Sequence, residues 1–266
     1  MEMNYKLVTK YISNWIKTYC LNNDIHCLIV GISGGIDSAL TSTLCSETRI
    51  KTIVVSMPIH QNKKQLILAK DHIKWLKKKY KNVEELTIQL SDVYDVFRKQ
   101  FPKELQNKLG FANSKARLRM TTLYQIAASK NGIVVGTGNK IEDFCIGFYT
   151  KYGDGGVDIS PIGDLLKSEV YQLAKFLKII NGIQTADPTD GLWGDDRTDE
   201  DQIGASYKEI EWAMKNLNKK NLNKKEERLI KLYKKHNKNN QHKMNPIPVC
   251  KIPKNKIKFP NQGEQF

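Results

Sequence analysis

The feature that most constrains this chain is the segment at residues 33–38, which reads Ser-Gly-Gly-Ile-Asp-Ser. It follows an apolar run at residues 26–32 that predicts a buried strand, and it leads into residues 39–45, which predict a helix. Glycines at such a junction let the backbone approach a ligand closely, and the N–H groups and dipole of the helix start favour negative charge. The segment therefore predicts an anion site, with the phosphates of a nucleotide as the expected ligand.

This segment differs from the common phosphate loop, in which a lysine next to Ser or Thr reaches the phosphates. Here no lysine follows the glycines, and Asp37 stands beside Ser38. A carboxylate next to bound phosphates needs a divalent cation between them, so Asp37 is a candidate Mg²⁺ ligand. The alternative is that Asp37 only caps the helix and the glycines only form a turn.

The order of apolar segments predicts an α/β fold with a doubly wound parallel sheet flanked by helices. Strands that are continuous apolar runs and alternate with helices are typical of such a sheet, whose ligands bind beyond the carboxyl ends of its strands. The loops after Ile32, Val55 and Val135 should therefore line one site. The predicted strands are 26–32, 51–58, 85–90 and 132–137, and the predicted helices are 3–20, 39–45 and onward, 61–80, 93–101, 113–129 and 165–177, the last capped by Asp164.

Length and composition exclude several classes of protein. The 266 residues can form a substantial core, and no stretch of about eighteen apolar residues predicts a membrane span. The N-terminal residues lack the form of a secretory signal, and the five cysteines include no Cys-x-x-Cys pair. We therefore expect a cytoplasmic protein without structural zinc or an iron–sulfur cluster.

The net charge of +15 raises the question of nucleic-acid binding. The excess is uneven, because lysine and asparagine are concentrated at residues 216–225 and 231–240. A charge excess alone identifies no partner, so a solvated lysine surface is the favoured interpretation. Residues 1–215 are predicted to form the main domain, and residues 216–266 a helical and extended addition to it.

Three further motifs lie at or near the predicted strand ends. Asn113 and Arg117 share one face of a predicted helix and suit a phosphate or an amide, although an ordinary solvated helix has the same pattern. The Gly-Thr-Gly turn at residues 136–138 precedes Glu142 and Asp143, either a source of metal ligands or simply a turn before a capped helix. The glycine-dense loop at residues 148–158 is long enough to suggest a functional role.

Taken in order, these motifs resemble the ammonia-using NAD synthetases, over residues 5–212. The segment at 33–38 is similar to the pyrophosphate loop of the wider ATP-pyrophosphatase superfamily, whose fold is Rossmann-like (adenine nucleotide alpha-hydrolase-like). More specific are Lys-Ala-Arg-x-Arg-Met at 115–120, Gly-Thr-Gly-Asn-Lys-x-Glu at 136–142, Thr-Lys-Tyr-Gly-Asp-Gly at 150–155 and Pro-Thr at 188–189. The Lys-Tyr-Gly-Asp-Gly-Gly block, residues 151–156, is the most specific of them.

The resemblance implies a ligase that amidates deamido-NAD with ammonia through an acyl-adenylate, with ATP and Mg²⁺, yielding NAD, AMP and pyrophosphate. It implies Asp37 and Lys167 as catalytic residues, and Asp37 and Glu142 as metal ligands. The implied ATP-binding residues are Gly31, Ser33, Gly34, Gly35, Asp37, Ser38, Met57, Arg117, Thr137, Lys167 and Thr189. The implied deamido-NAD-binding residues are Phe111, Asn113, Lys151, Asp154, Asp158, His242 and Lys243.

The chain departs from the family pattern in two places. Counting forward from Gly136 assigns the metal carboxylate to Glu142, whereas counting backward from Gly147 assigns it to Asp143. The residues after Asn245 are unlike the family's usual tail. Residues 190–201 are similar to the family's mobile loop over the site.

Partners and alternatives complete the expectations. The resemblance implies a homodimer with the dinucleotide at its interface, and the aromatic residues Phe148, Tyr149 and Tyr152 could contribute to that interface. We find no room for a glutaminase domain, so the ammonia should be free or supplied by a separate glutaminase. The competing hypotheses are a tRNA-modifying ATP-pyrophosphatase and a non-catalytic module that binds nucleotides or nucleic acid.

Overall fold

Four parallel strands form the sheet at the centre of the protein, for which a computed structural model describes residues 3–193, 195 and 197–253. The strands are β1 (Cys27–Gly31), β2 (Lys51–Ser56), β3 (Val83–Thr87) and β4 (Gly132–Val134). Their spatial order is β3-β2-β1-β4, so the chain starts in the middle and winds outward in both directions. The loops after β1, β2 and β4 consequently open at one edge of the sheet.

Helices cover both faces of this sheet. On one face, Leu28, Val30 and Val54 pack against α1 (Tyr5–Asn22), α2 (Ile36–Glu47), α3 (Lys63–Lys79) and α6 (Lys167–Phe176). On the other face, Ile29 and Ile53 pack against α4 (Ser91–Lys99) and α5 (Lys108–Ser129). Neighbouring strand residues point to opposite faces, so strands that are apolar throughout are buried on both sides. The predicted fold class is confirmed.

A third apolar cluster joins the C-terminal helices to the segment that follows β4. A π-helix, Lys140–Ile146, contributes Ile141 and Ile146 to this cluster. The helices that follow α6 are α7 (Asn181–Gln184), α8 (Asp199–Ile203), α9 (Tyr207–Lys215), α10 (Lys224–Asn239) and α11 (Gln241–Met244), of which α7 packs on the first face of the sheet through Ile183. Because α9 and α10 pack on the π-helix, the helical part of the C-terminal segment is in contact with the rest of the chain, whereas residues 245–253 are exposed. Residues 254–266 lie outside the described part of the chain.

Several boundaries differ from the sequence prediction for identifiable reasons. Helix α5 begins at Lys108 rather than 113, because the Asn107 side chain accepts a hydrogen bond from the Gly110 N–H and caps it. Strand β3 spans Val83–Thr87 rather than 85–90, because it pairs with β2 from Thr52 to Ser56. The predicted Asp164 cap of α6 is wrong: Leu166 is the N-cap residue, and Asp164 pairs with Lys140 at the surface.

Across residues 3–193, 195 and 197–253, no helix combines the length and the apolar character needed to cross a bilayer.

Candidate active site

The glycine segment after β1 forms a rigid loop that leads into α2. The Ser33 and Ser38 hydroxyl oxygens are 3.1 Å apart, and the Ser38 hydroxyl also donates to the Gly35 carbonyl at 2.9 Å. Gly34 has a φ of +91°, and a Cβ atom there would lie 2.6 Å from the Gln65 carbonyl oxygen. Glycine is therefore required by both backbone conformation and space, and the loop holds the start of α2 open at the edge of the sheet.

Asp37 does not cap this helix, so that alternative is wrong. The N-cap residue of α2 is Gly35, and no side chain makes a capping hydrogen bond there. Asp37 Oδ2 instead accepts a hydrogen bond from Lys167 Nζ at 2.6 Å, and Asp37 Oδ1 accepts one from Asn139 Nδ2 at 3.0 Å. The aspartate is thus part of a polar cluster that extends beyond its own helix.

Lys167 lies at the centre of that cluster. It is the first residue of α6, and only 2% of its surface is exposed. Its Nζ donates to Asp37 Oδ2 at 2.6 Å and to Glu142 Oε1 at 2.8 Å, and it lies 4.6 Å from the centre of the Tyr207 ring. Burial disfavours the ammonium, but the two carboxylates more than compensate and raise the pKa of Lys167, which keeps it charged.

The π-helix places Glu142 beside Lys167. Asn139 begins this helix: its side-chain oxygen accepts from the backbone N–H groups of Ile141 and Glu142, while its Nδ2 donates to Asp37. Asn139 is fully buried and links the helix to the phosphate loop. Sequence analysis assigned it no role, although an asparagine between a Gly-Thr-Gly turn and a helix has the position of a cap.

Glu142 and Asp143 are neighbours with different surroundings. Burial opposes ionisation of Glu142, but the charge of Lys167 and hydrogen bonds from Lys167 and Tyr207 keep the pKa of its carboxyl below the usual value. Burial and the nearby charges of Glu142 and Asp154 raise the pKa of Asp143 well above its usual value. The Asp143 carboxylate packs on Gly138, where any Cβ atom would collide with it. It is Glu142 that shares Lys167 with Asp37.

The two carboxylates on Lys167 are suitable for Mg²⁺ together with a phosphate group. Mg²⁺ is usually held by one or two carboxylates and by substrate phosphates, rather than by protein ligands alone. Within the described part of the chain there is no group of three or more His, Cys, Asp or Glu side chains that would hold a metal by themselves. The donor set therefore fits a cation whose coordination is completed by the nucleotide.

The loop at residues 148–158 is held against α5. The Thr150 hydroxyl donates to Asn113 Oδ1 at 2.8 Å, and Arg117 Nε donates to the Lys151 carbonyl at 3.2 Å. Asp154 Oδ1 accepts from the Thr150 N–H at 3.0 Å, and burial raises the pKa of Asp154 to about 6. Four residues that the resemblance assigned to the substrates thus meet at this junction.

A cavity of about 730 Å³ opens between α5, this loop and α11. Its polar lining includes the amines of Lys151 and Lys243, both predicted to bind deamido-NAD. Its other lining residues are Met120, Thr121, Tyr124, Gln125, Ala128, Tyr149, Tyr152, Gly155, Gly156 and Val157. A tyrosine-rich cleft with two ammonium groups suits a ligand with flat rings and negative charge.

Asp158 follows Val157, one of the residues that line this cavity, and has two hydrogen-bond partners within the protein. Its Oδ1 accepts from the Tyr124 hydroxyl at 2.9 Å, and its Oδ2 accepts from the Val134 N–H at 2.7 Å. His242 is exposed, and its backbone carbonyl accepts a hydrogen bond from Lys151 Nζ.

The other residues assigned to the substrates are spread around the same sheet edge. Gly31 ends β1, and a Cβ atom there would lie 3.3 Å from the Met57 side chain. Thr137 follows β4, and Thr189 accepts from the Gly191 N–H at 3.3 Å. Phe111 packs edge-on against Phe101, with ring centres 5.8 Å apart, near the beginning of α5.

Tyr207 and Asp199 also belong to this cluster, although no motif of the sequence assigned either of them a role. The Tyr207 hydroxyl donates to Glu142 and, at 3.3 Å, to Asp199 Oδ2. Asp199 is 7% exposed, and its Oδ1 has no hydrogen-bond partner within the described part of the chain. Burial and the charge of Glu142 raise the pKa of Asp199 to about 7. Tyr207 lies in no motif quoted above, and Asp199 lies within residues 190–201 without a role assigned to it there, so only the packing of α8 and α9 reveals their place in the cluster.

Comparison with known proteins agrees with this geometry. Residues 8–247 match the family model described as NAD synthase. The NH(3)-dependent NAD(+) synthetase of Mycoplasmopsis pulmonis is 41% identical over 202 residues, which cover 76% of this chain and 76% of that protein.

Solved structures give the same result. The chain is similar to an NMN synthetase from Francisella tularensis, with a TM-score of 0.85 and 30% identity over 94% of this chain and 100% of the other. It is also similar to an NH3-dependent NAD synthetase from Campylobacter jejuni, with a TM-score of 0.76 and 30% identity over the same shares. The chain belongs to the NAD synthase family.

Proposed function

We propose that this protein converts deamido-NAD, ATP and ammonia into NAD, AMP and pyrophosphate. The observation that carries the proposal is the position of Lys167, which bridges Asp37 and Glu142 next to the glycine loop at the carboxyl edge of the sheet. The names of its relatives support the same reaction. They favour it over a tRNA-modifying enzyme or a non-catalytic binding module.

In the first step, a nicotinate carboxylate oxygen forms a bond to the α-phosphorus of ATP, and the bond to the β-phosphate oxygen breaks. The products are an acyl-adenylate and pyrophosphate. The N–H groups of residues 33–38 and the start of α2 are suited to hold the departing pyrophosphate. Lys167 is charged and buried, so it stabilises negative charge on the phosphates without reorganisation of solvent.

We propose Asp37 and Glu142 as the residues that hold Mg²⁺. The cation, when bound, neutralises phosphate charge and polarises the phosphoryl oxygens. Asn139 orients Asp37 and begins the helix that presents Glu142, while Tyr207 fixes Glu142 from the other side. These contacts hold both carboxylates in place before the nucleotide arrives.

In the second step, the ammonia nitrogen attacks the acyl carbon, AMP leaves with the bonding pair, and a proton is lost from nitrogen to give the amide. Adenylation is needed because a carboxylate oxygen is a poor leaving group and AMP is a good one. The loop at residues 148–158 and the adjacent cavity are suited to hold the dinucleotide. Lys151 and Lys243 would face its diphosphate, and the tyrosines would face its rings.

Product analysis tests the reaction. The purified chain incubated with ATP, MgCl₂, deamido-NAD and ammonium should form NAD and AMP in equal amounts, and omission of deamido-NAD should abolish AMP release. Glutamine in place of ammonium should give little NAD. Formation of ADP would contradict the proposed chemistry, and efficient use of glutamine would contradict the proposed nitrogen source.

A second candidate substrate is the mononucleotide of nicotinic acid. The protein matches an NMN synthetase with a TM-score of 0.85 and an NH3-dependent NAD synthetase with one of 0.76, at equal identity and coverage. The reacting carboxylate is the same in both substrates, and only the adenylate half differs. Measurement of kcat/KM for the two substrates under identical conditions distinguishes them, and we expect the dinucleotide to be preferred.

We further propose that the protein is a cytoplasmic homodimer that uses free ammonia or ammonia from a separate glutaminase. Exposed apolar side chains of α4 and α5 support the dimer, including Phe97, Leu109 and Tyr124. Of the aromatic residues of the loop, Phe148 packs against its own chain, whereas Tyr152 is 60% exposed. Five free thiols are compatible with a reducing compartment.

A further inference from the structure

The carbonyl end of the π-helix is held by side chains from the C-terminal segment. The last carbonyl groups of a helix have no partner within it and need donors from elsewhere. Asn237 Nδ2 donates to the Cys145 carbonyl at 2.7 Å, and Asn240 Nδ2 donates to the Ile146 carbonyl at 2.8 Å. Lys243 Nζ donates to the carbonyls of Gly147, at 2.8 Å, and Tyr149, at 2.7 Å.

These three donors recur at every third position along the chain. Residues three apart lie on the same side of a helical segment, so Asn237, Asn240 and Lys243 face the turn together. The orientation of the Asn237 amide is also fixed, because its Oδ1 accepts from Gln241 Nε2 at 2.8 Å. We name Asn237 and Asn240, with Lys243, the carbonyl clamp.

Gly147 is the point of closest approach between the clamp and the turn. Its φ is +63°, and a Cβ atom there would lie 2.4 Å from the Cβ atom of Asn240. Only glycine permits both this conformation and this contact. The C-terminal segment therefore packs directly on the backbone that connects the π-helix to the loop at residues 148–158.

The side chains that anchor the two ends of the π-helix come from different parts of the chain, and the Glu142 carbonyl, which accepts from the Gly147 and Phe148 N–H groups, connects the two ends. Asn139 fixes the beginning of the helix, where Glu142 meets Lys167, through hydrogen bonds that do not involve the C-terminal segment. The clamp fixes the opposite end, from which the chain continues to Lys151 and Asp154. Lys151 is itself tied to the clamp region, because its Nζ donates to the His242 carbonyl.

We propose that Asn237 and Asn240 are positioning residues for the dinucleotide substrate. They act through the Gly147 turn, which fixes the position of the loop at residues 148–158 relative to the cavity that this loop lines. Lys243 combines this role with a direct one: two of its three N–H donors bind carbonyls, and the third remains for a ligand in the cavity it lines. The proposal rests on the proposed function and adds two residues that lie outside the substrate-binding set.

Steady-state kinetics of the Asn237→Ala/Asn240→Ala double variant test this proposal. We expect the KM for deamido-NAD to rise about five- to thirty-fold, the factors that correspond to losing one or both hydrogen bonds at about 1 kcal/mol each. The KM for ATP and the kcat should change much less than the KM for deamido-NAD, because the side chains of Asp37 and Glu142 are held by Asn139, Lys167 and Tyr207, and only the backbone carbonyl of Glu142 contacts the Gly147 turn. Asn239→Ala is the matched control, since Asn239 is exposed on the same helix.

Each outcome decides between the alternatives. The proposal is overturned if the folded double variant has an unchanged KM for deamido-NAD, or if the KM values for deamido-NAD and ATP rise equally. Should circular dichroism show that the double variant is unfolded, Asn237→Ser and Asn240→Ser are judged separately by the same criteria. An inactive wild type overturns the proposed function and the clamp with it, whereas an active wild type with unaffected variants overturns the clamp alone.

Discussion

Lys167 Nζ lies 2.6 Å from Asp37 Oδ2, although the two residues are 130 positions apart in the sequence. The contact joins the beginning of α6 to the first turn of α2, and both helices lie on the same face of the sheet. A buried lysine between two carboxylates would cost free energy if either carboxylate were removed. Here the arrangement lies next to the glycine loop, the place where we propose that the phosphates of ATP bind.

Replacement of Asp37 by asparagine should abolish turnover while leaving the fold intact. The amide preserves the shape of the side chain and removes the charge that faces Lys167 and the proposed cation, so we expect kcat to fall at least about a hundred-fold. Circular dichroism should show a native fold with a lowered thermal midpoint, because Lys167 loses one of its two buried counter-charges. Asp92→Asn is the matched control, because Asp92 is an exposed residue in the first turn of α4. Retained activity in Asp37→Asn would show that the carboxylate is dispensable.

Separate replacement of Glu142 and Asp143 should identify the metal carboxylate. Glu142 shares Lys167 with Asp37, so Glu142→Gln should lower the affinity for Mg²⁺ on the order of ten-fold or more. Asp143→Asn should have a much smaller effect, because its carboxylate packs on Gly138. Calorimetric titration of Mg²⁺ in the presence of a non-hydrolysable ATP analogue measures the affinity directly. The opposite ranking would assign the ligand to Asp143.

Acid should destabilise the protein through His72. This histidine is fully buried between α2 and α3, its Nε2 lies 2.9 Å from the Ser42 hydroxyl, and its ring stacks on Trp75. Burial lowers the pKa of His72 to about 4, below the value of about 6.5 expected in an unfolded chain. Between these values the unfolded chain binds more protons, so stability falls as the pH falls.

The size of this effect is on the order of 3 kcal/mol at about pH 4. Denaturant unfolding at pH 7, 5.5 and 4.5 should show a loss of free energy of unfolding that His72→Gln reduces. His26→Gln, at an exposed position, should leave the pH dependence unchanged. Identical slopes for wild type and His72→Gln would exclude His72 as the cause.

The sequence predicts the centre of the sheet well because the signal there is local. Strands β1 and β2 are almost continuous apolar runs. The glycines of the loop after β1 indicate a tight turn at the end of that strand. Strand β4 is shorter than predicted because its residue pairing with β1 ends at Val134, and Val135, whose N–H still donates to the Ile29 carbonyl, forms an isolated bridge with Ile159. The end of β4 therefore depends on a residue 24 positions further along the chain, and a local sequence pattern cannot predict such a contact.

Site residues could be predicted from the sequence only where they belong to a recognisable motif. Spacing alone did not bring Glu142 and Lys167 together, and their assignment depended on resemblance to a family. The π-helix has no sequence period of its own at this length, so the cap by Asn139 was not recognised. Tyr207 and Asn240 act through the packing of α9 and α10, which is decided by tertiary contacts.

The proposed homodimer makes a prediction about the exposed apolar surface of α4 and α5. Phe97 packs against Phe101, with ring centres 5.0 Å apart, and Phe101 packs against Phe111, so these rings form a continuous patch. Phe97 is 42% exposed and Leu109 is 57% exposed, and a second copy of the chain would cover them. We expect light scattering at micromolar concentration to give about twice the chain mass of 30.5 kDa.

The variant Phe97→Lys/Leu109→Lys should shift the mass to that of the single chain, because the interface would then bury positive charges that face the same charges of the second copy. Ile67→Lys, on the exposed side of α3, should leave the dimer intact. A wild type with the single-chain mass would remove the dimer, and a double variant that remains dimeric would move the interface to another surface.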